Sequence, residues 1–357
     1  MTQENIPVAI IEFYSSHDEC LYSQLAILKS QNYTAHLLVN EQLTQRTSHF
    51  PADYKLSLSR NWRQIWQARR YIKQNEIKKV VFNTCSGNSV RAMVLLLVGT
   101  GVDLIGILHN SKKLDKSFSQ RIITLVVKKY LVLNDYIREN LVQKHRQLRI
   151  ASFYPVFFPA FHSSIKKKSN EIWVCVPGAV DFARRDYQSL SNAIASMTLP
   201  DNFRFVMAGR NNRSKEEFQS FYANIATRGL DKNFIFFDQF VSDEDFHGLI
   251  IESDFILPLI HPSKARYRSY ATTKITGSFN LAFGYKKPLV MENFWKGYDD
   301  FQGVSAFYKV EELSKVIAEI ASGKIEANAL AAGYLTKEKF SFDFQAGAYI
   351  GLLKETV

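Results

Sequence analysis

Short apolar runs alternate along the whole chain with segments whose apolar positions recur every three to four residues. That alternation predicts parallel strands joined by crossover helices, an α/β architecture. In the first half the predicted strands are PVAIIEF (7–13), AHLLVN (35–40), KKVVFNT (78–84), DLIGILHN (103–110), KYLVLND (129–135) and ASFYPVFF (151–158). Helical periods such as LYSQLAILKSQ and NSVRAMVLLLVG lie between them. A polar, Lys-rich break, FPAFHSSIKKKSN (158–170), then reads as an interdomain linker. The alternation restarts with EIWVCVPG (171–178), FRFVMAGR (203–210), NFIFFDQ (233–239), DFILPLI (254–260) and KPLVME (287–292). Helices are predicted at DYQSLSNAIAS, KEEFQSFYANIATRG, DEDFHGLIIES, TGSFNLAFGY and EELSKVIAEIAS, and the tail from Ile325 is helical in pattern. A polar, basic loop, HPSKARYRSYATTK, precedes the helix TGSFNLAFGY.

The pattern therefore predicts two doubly wound Rossmann-like domains, each taking about half the chain. Such sheets bind ligands at the carboxyl ends of their strands, and two opposed domains would place the site in a central cleft. A length of 357 residues agrees with two domains rather than one core.

Composition narrows the class. An apolar fraction of 46% with 22% charged residues is that of a globular protein. Cys20, Cys85 and Cys175 are odd in number, far apart and set beside or inside apolar runs, which predicts buried free thiols in a reducing cytoplasm. The histidines have no zinc-type spacing with them. No basic segment precedes the first apolar stretch, so no signal peptide is read, and AMVLLLVGTGV is too short to cross a bilayer. The prediction is a cytoplasmic protein, in solution or peripheral on the membrane's inner face.

Charge is divided unevenly. Residues 1–168 hold 24 Lys and Arg against 11 Asp and Glu, whereas residues 169–357 hold 21 against 23. Basic clusters with aromatics occur at RNWRQIWQARRYIK (60–73), KSFSQRIITLVVKKY (116–130) and KHRQLR (144–149). Such faces are either simply solvated or drawn to an anionic surface, membrane lipid or nucleic acid. Arg63, Arg69, Arg70 and Lys73 share a predicted helix with Trp62, Trp66 and Tyr71, a mix suited to a lipid headgroup boundary.

Several polar residues fall just after predicted strands. His17, Asp18 and Glu19 follow the first, where Ser15 and Ser16 are candidate helix caps; the three either cap as well or supply a general base or acceptor-binding group. His109 ends an otherwise apolar run. Gly178 follows a strand and permits close backbone approach, with Arg184 and Arg185 near the next helix start. Gly209 repeats the strand-then-glycine arrangement. Thr272, Thr273, Lys274, Thr276, Gly277 and Ser278 crowd the start of the helix over 275–285. Free N–H groups, hydroxyls and one Lys are the parts of a pyrophosphate cradle. There is no Walker spacing, and no GxGxxG follows a strand.

In this order the segments HDECLYSQLAILK, LHNSKKL, VLNDYIRENL, VPGAVDFARRDYQSLSNAI, FDQFVSDEDFHGLIIESDFILPLI and TGSFNLAFGYKKPLV resemble a GT-B glycosyltransferase, a divergent relative of family 4 used in bacterial polysaccharide assembly. The resemblance implies an acceptor domain over 1–165, a donor domain over 166–335 and a C-terminal helix over 336–357 that packs back towards the first domain. It implies that Arg184, Arg185 and Lys274, aided by the helix start at Gly277 and Ser278, hold the diphosphate of a UDP- or GDP-linked sugar, with Gly178, Gly209, Thr273 and Thr276 as further donor-binding residues. Phe240 and Val241 would lie beside the base and His109 near the transferred sugar. The implied partners are that donor, a glycan or lipid-linked acceptor and an anionic membrane surface, with no nucleic acid, no cofactor and no metal. Retaining members carry a glutamate pair around this loop and helix, yet residues 265–281 contain no Glu, so retention and inversion both stay open. Inversion would use Glu19, Asp18 or His17 as base. The alternatives are a nucleotide-sugar epimerase of the same fold and a non-catalytic protein that binds nucleic acid or membrane.

Overall fold

A computed structural model describes residues 6–195, 197–211 and 213–356. The chain forms two compact units. The first runs to Pro159 and also takes in Thr272–Ile275 and the chain from Lys339; the second comprises Ala160–Ala271 and Thr276–Glu338.

The first unit is built on a seven-stranded parallel sheet: β1 (Pro7–Glu12), β2 (Thr34–Asn40), β3 (Tyr54–Leu58), β4 (Lys79–Phe82), β5 (Asp103–Leu108), β6 (Lys129–Val132) and β7 (Arg149–Ser152). Its order is β3-β2-β1-β4-β5-β6-β7. Its helices are α1 (Leu21–Ser30), α2 (Arg63–Gln74), α3 (Asn88–Leu97), α4 (Lys112–Lys116), α5 (Phe118–Val126) and α6 (Asp135–Lys144).

The second unit has a six-stranded parallel sheet: β8 (Ile172–Cys175), β9 (Phe203–Arg210), β10 (Phe234–Phe237), β11 (Phe255–Ile256), β12 (Leu289–Glu292) and β13 (Ser305–Tyr308). Its order is β10-β9-β8-β11-β12-β13. Its helices are α7 (Tyr187–Ile194), α8 (Glu216–Ala226), α9 (Asp243–Glu252), α10 (Tyr267–Thr272), α11 (Gly277–Gly284), α12 (Leu313–Ala321) and α13 (Ala327–Ala331). The last helix, α14 (Phe342–Lys354), belongs to the first unit, where Ala346, Tyr349, Ile350, Leu352 and Leu353 join the core of β1, α1 and β2.

Both sheets reverse their strand order once, between β1 and β4 and between β8 and β11. Crossovers leave on opposite faces on either side of a reversal, and the strand ends open a crevice there. Those two points therefore locate the candidate sites.

Four elements differ from the sequence pattern. The edge strands β3 and β13 are absent from it: β3 is mostly exposed and so shows no apolar run, and β13 is a four-residue stretch opened by a serine. The run 151–158 does not continue as a strand: β7 ends at Ser152, and the Tyr154 amide donates to Gln345 Oε1 of α14 instead of to a sheet neighbour. The loop 261–275 contains α10, because Tyr267 and Ala271 bury one face and Tyr267 packs edge-on against Phe294 and Trp295. Ser196, at the end of one predicted helix, and Val357 lie outside the described residues.

Candidate functional site

In the first unit the reversal is filled by a buried polar network. Glu12, the last residue of β1, is fully buried. Its carboxylate accepts from the Tyr14 amide (2.8 Å), Asn83 Nδ2 (2.7 Å) and Thr84 Oγ1 (2.6 Å). Burial pushes the Glu12 carboxyl up to about 7, against the pull of those three donors. Asn83 follows β4 and is a junction. Its Nδ2 also donates to the His17 carbonyl (2.8 Å), its Oδ1 accepts from Gln24 Nε2 (2.7 Å), and its own carbonyl accepts from His109 Nε2 (2.8 Å).

His17 has a left-handed backbone, φ 68°, unusual for a residue with a side chain. The bond to Asn83 holds that turn. The His17 ring stacks on His109 with centroids 3.8 Å apart, and its Nδ1 lies 3.3 Å from Glu19 Oε1. Burial disfavours charge on His17, but the hydrogen bond and charge of Glu19, with Glu12 and Asp18, outweigh it and raise its pKa. Burial first, then the charge of His17, pushes His109 down to about 3, so its imidazole is neutral. His17, Glu19 and His109 offer ligand atoms that all lie within 4.8 Å of one another.

Asp18 is not part of this constellation. It is buried and pairs with Arg46 Nη2 at 3.1 Å. Ser15 and Ser16 do not cap the turn Asp18–Cys20, whose cap position is His17 with no side-chain cap bond. Lys113 reaches the same strand ends and donates to Ser86 Oγ (2.8 Å).

In the second unit the ends of β8 and β9 approach so closely that only glycine fits. A Cβ on Gly209 would lie 2.4 Å from the carbonyl carbon of Gly178, and Gly178 itself has φ +89°. Arg185 spans this turn. Its Nη2 donates to the Pro177 carbonyl and to Ser278 Oγ (3.3 Å), and its Nη1 donates to the Ala179 carbonyl (3.3 Å). Among the described residues its buried Nε has no hydrogen-bond partner of ordinary geometry. Ser278 and Thr276 are buried at the start of α11, whose cap position, Thr276, makes no side-chain cap bond. Gly178, Arg185, Gly209, Thr276, Gly277 and Ser278 thus come together. Arg184 does not join them; it is exposed and pairs with Asp181 (3.0 Å). Phe240 and Val241 lie between β10 and α9, with Phe240 exposed. Thr273 and Lys274 group with the first unit, where the Thr273 carbonyl accepts from the Ser111 amide (3.0 Å).

A second buried network braces this turn. Asp186 caps α7, accepting from the Ser189 amide (3.2 Å) and from Ser189 Oγ (2.7 Å). It also receives Ser263 Oγ (3.0 Å) and faces His261 Nδ1 (3.0 Å), while His261 Nε2 lies 2.7 Å from the Tyr308 hydroxyl. Burial opposes ionisation of Asp186, but its bonds to His261 and Ser189 prevail and hold its carboxyl well below the usual range. The loop after β11 is thereby fixed to the helix start after β8, on the two strands that flank the reversal.

Sequence reasoning missed Glu12, Asn83, Asp186 as a network centre, and His261. The signal that marked His109, a polar residue closing an apolar strand, is also present for Glu12 in AIIEF and Asn83 in VVFNT.

No protein-family model and no curated protein matches the chain by sequence. Solved structures do match over nearly the whole length. A putative UDP-N-acetylglucosamine 2-epimerase from Listeria monocytogenes is 12% identical with a TM-score of 0.64, covering 99% of this chain and 98% of that one. Anabaena HepE, solved with UDP-glucose, is 12% identical with a TM-score of 0.66 over 98% and 99%. The lipopolysaccharide outer core galactosyltransferase WaaB is 11% identical with a TM-score of 0.60 over 98% and 99%. At such identities the likeness concerns the fold. The chain has the two-domain α/β architecture of the GT-B type, with a parallel sheet of seven strands in one unit and six in the other.

Proposed function

We propose that the chain is a glycosyltransferase that moves a sugar from a UDP- or GDP-linked donor to a glycan or lipid-linked acceptor in bacterial surface polysaccharide synthesis. The observation that carries this reading is the turn after β8. There Gly178 and Gly209 let the ends of β8 and β9 close on each other, and Arg185 and the start of α11 bring positive charge to that turn, where a diphosphate would be held. Stabilising the departing diphosphate is the main catalytic requirement of the reaction, and fixed cations and N–H dipoles meet it. Arg184, Lys274, Phe240 and Val241 are further donor contacts in this reading, as they are in the family pattern.

On the acceptor side His17, oriented by Glu19, takes the proton of the acceptor hydroxyl. The hydroxyl oxygen bonds to the anomeric carbon, and the sugar–phosphate bond breaks with its electron pair leaving on the diphosphate. Neutral His109 stacks behind His17 and keeps its ring in place. The absence of Glu from residues 265–281 favours this single displacement, which inverts the anomeric centre.

The acceptor is proposed to be reached at an anionic membrane surface. No helix among the described residues is long and apolar enough to cross a membrane. On the first unit, however, Phe118 (74% exposed), Leu125 (73%) and Trp62 (67%) stand out on α5 and at the start of α2. The sequence span 60–128, which contains all three, carries 13 Lys and Arg against 3 Asp and Glu. Apolar insertion with surrounding cations suits a bilayer containing acidic lipid.

Epimerisation of the sugar on its nucleotide is the second reading, supported by the fold shared with the 2-epimerase from Listeria monocytogenes. It leaves the apolar and basic face unused. Proton NMR of UDP- and GDP-sugars incubated with the chain separates the two. Transfer predicts release of nucleoside diphosphate only when acceptor is added; a new nucleotide sugar formed without acceptor would replace this reading with the epimerase.

A further inference from the structure

The cluster His17, Glu19 and His109 has a property that sugar transfer does not require. We propose that these three side chains form a binding site for a divalent transition-metal ion of the imidazole-preferring class, such as zinc or cobalt. The proposal concerns the first unit alone and stands whether or not the glycosyltransferase reading holds.

Three observations carry it. The first is spacing. Donor atoms around a tetrahedral ion at about 2.0–2.2 Å lie roughly 3.3–3.6 Å from one another. His17 Nδ1 and Glu19 Oε1 are 3.3 Å apart, and the ligand atoms of all three residues fall within 4.8 Å. His17, whose side chain is 37% exposed, has space for its ring to turn out of the stack and aim its lone pair at a shared point.

The second is the tautomer of His109. A backbone carbonyl only accepts, so the contact with the Asn83 carbonyl at 2.8 Å places the ring proton on Nε2 and leaves the lone pair on Nδ1. A ligand histidine whose other nitrogen donates to a carbonyl is the usual arrangement around bound metals.

The third is that one buried residue fixes the His109 ring and the backbone turn that carries His17. Asn83 accepts from the His109 ring through its main-chain carbonyl and donates through Nδ2 to the main-chain carbonyl of His17, and is itself fixed by Glu12 and Gln24. The His109 ring and the His17 backbone are thus fixed in advance and only the His17 ring turns to complete the site, which lowers the cost of binding. Two imidazoles and one carboxylate leave a fourth position for water, the composition of an open site rather than a closed structural one. An ion on His17 Nδ1 replaces the contact with Glu19 that orients His17 as a base, so the two roles exclude one another.

The test is calorimetric titration of the metal-stripped full chain with Zn2+, followed by the visible absorption of the Co2+-loaded chain. The expected result is one ion per chain and the absorption of a cobalt site of low coordination number. His17→Gln, Glu19→Gln and His109→Gln should each weaken Zn2+ binding by about tenfold or more, and His162→Gln, an exposed histidine elsewhere, should not change it. Glu19 is 54% exposed, so Glu19→Gln should melt with the parent chain and separate lost ligation from lost folding. Absence of a stoichiometric ion, or binding equally tight in folded Glu19→Gln and His17→Gln, would overturn the proposal.

Discussion

Asn83 Nδ2 donates to Glu12 Oε2 at 2.7 Å in the interior of the first unit, and two other donors converge on the same carboxylate. Even so, burial raises the Glu12 carboxyl from 4.5 to about 7. A folded pKa above the unfolded one means that the native state binds the extra proton. The stability from that proton is complete below pH 4.5 and is lost as pH rises through 7. The shift corresponds to about 3 kcal/mol, at 1.36 kcal/mol per unit. Urea unfolding of the parent chain should show this decline between pH 4.5 and 7.5, and Glu12→Gln should remove most of it. Equal slopes for the two chains would contradict the assignment.

Gly209 carries the second prediction. A methyl group there meets the Gly178 carbonyl carbon at 2.4 Å and the Ala179 nitrogen at 2.6 Å, both rigid backbone. Gly209→Ala should therefore destabilise the second unit by about 1–3 kcal/mol and displace the turn after β8. Calorimetric melting should show a lower transition, and donor affinity should fall. A chain that melts with the parent would mean that the strand ends are not in such close approach.

Much of this architecture was legible in the chain. Each two-sided apolar run between helical periods marked a central strand, because strands covered on both faces need no polar alternation. The edge strand β3 escaped notice because it is mostly exposed and lacks that double burial; β13 is buried, but only four residues long and opened by a serine. Among the site residues, His109 and Gly178 announced themselves as exceptions at the ends of apolar strands. The Glu12–Asn83 and Asp186–His261 pairs did not. Their partners are 71 and 75 residues apart, and meet only because β1 lies beside β4 and β8 beside β11. Strand order is set by packing of the whole sheet, and no local pattern encodes it. The same holds for Arg185, which reads as one of two adjacent cations until the fold turns it onto Pro177, Ala179 and Ser278 while Arg184 pairs with Asp181.

The membrane prediction rests on Phe118 and Leu125, seven apart on α5 and so on one side of it, with Arg121 between them. Vesicles containing acidic phospholipid should pellet the parent chain, less so at high salt as the charge term is screened. The double change Phe118→Ser and Leu125→Ser should weaken pelleting by about tenfold or more, since two large apolar side chains each contribute roughly 1.5–3 kcal/mol when fully buried. Equal pelleting of the two proteins would remove α5 from the docking face.

The central claim, that the turn after β8 holds a nucleotide diphosphate, is tested most directly by calorimetric titration with a panel of UDP- and GDP-sugars. The account predicts saturable one-site binding of at least one of them by the parent chain. It also predicts a loss of about tenfold or more in Arg185→Lys, which keeps the charge but not the fork that spans Pro177, Ala179 and Ser278. Absence of binding by every nucleotide sugar in the panel, or undiminished affinity in a folded Arg185→Lys chain, would contradict it.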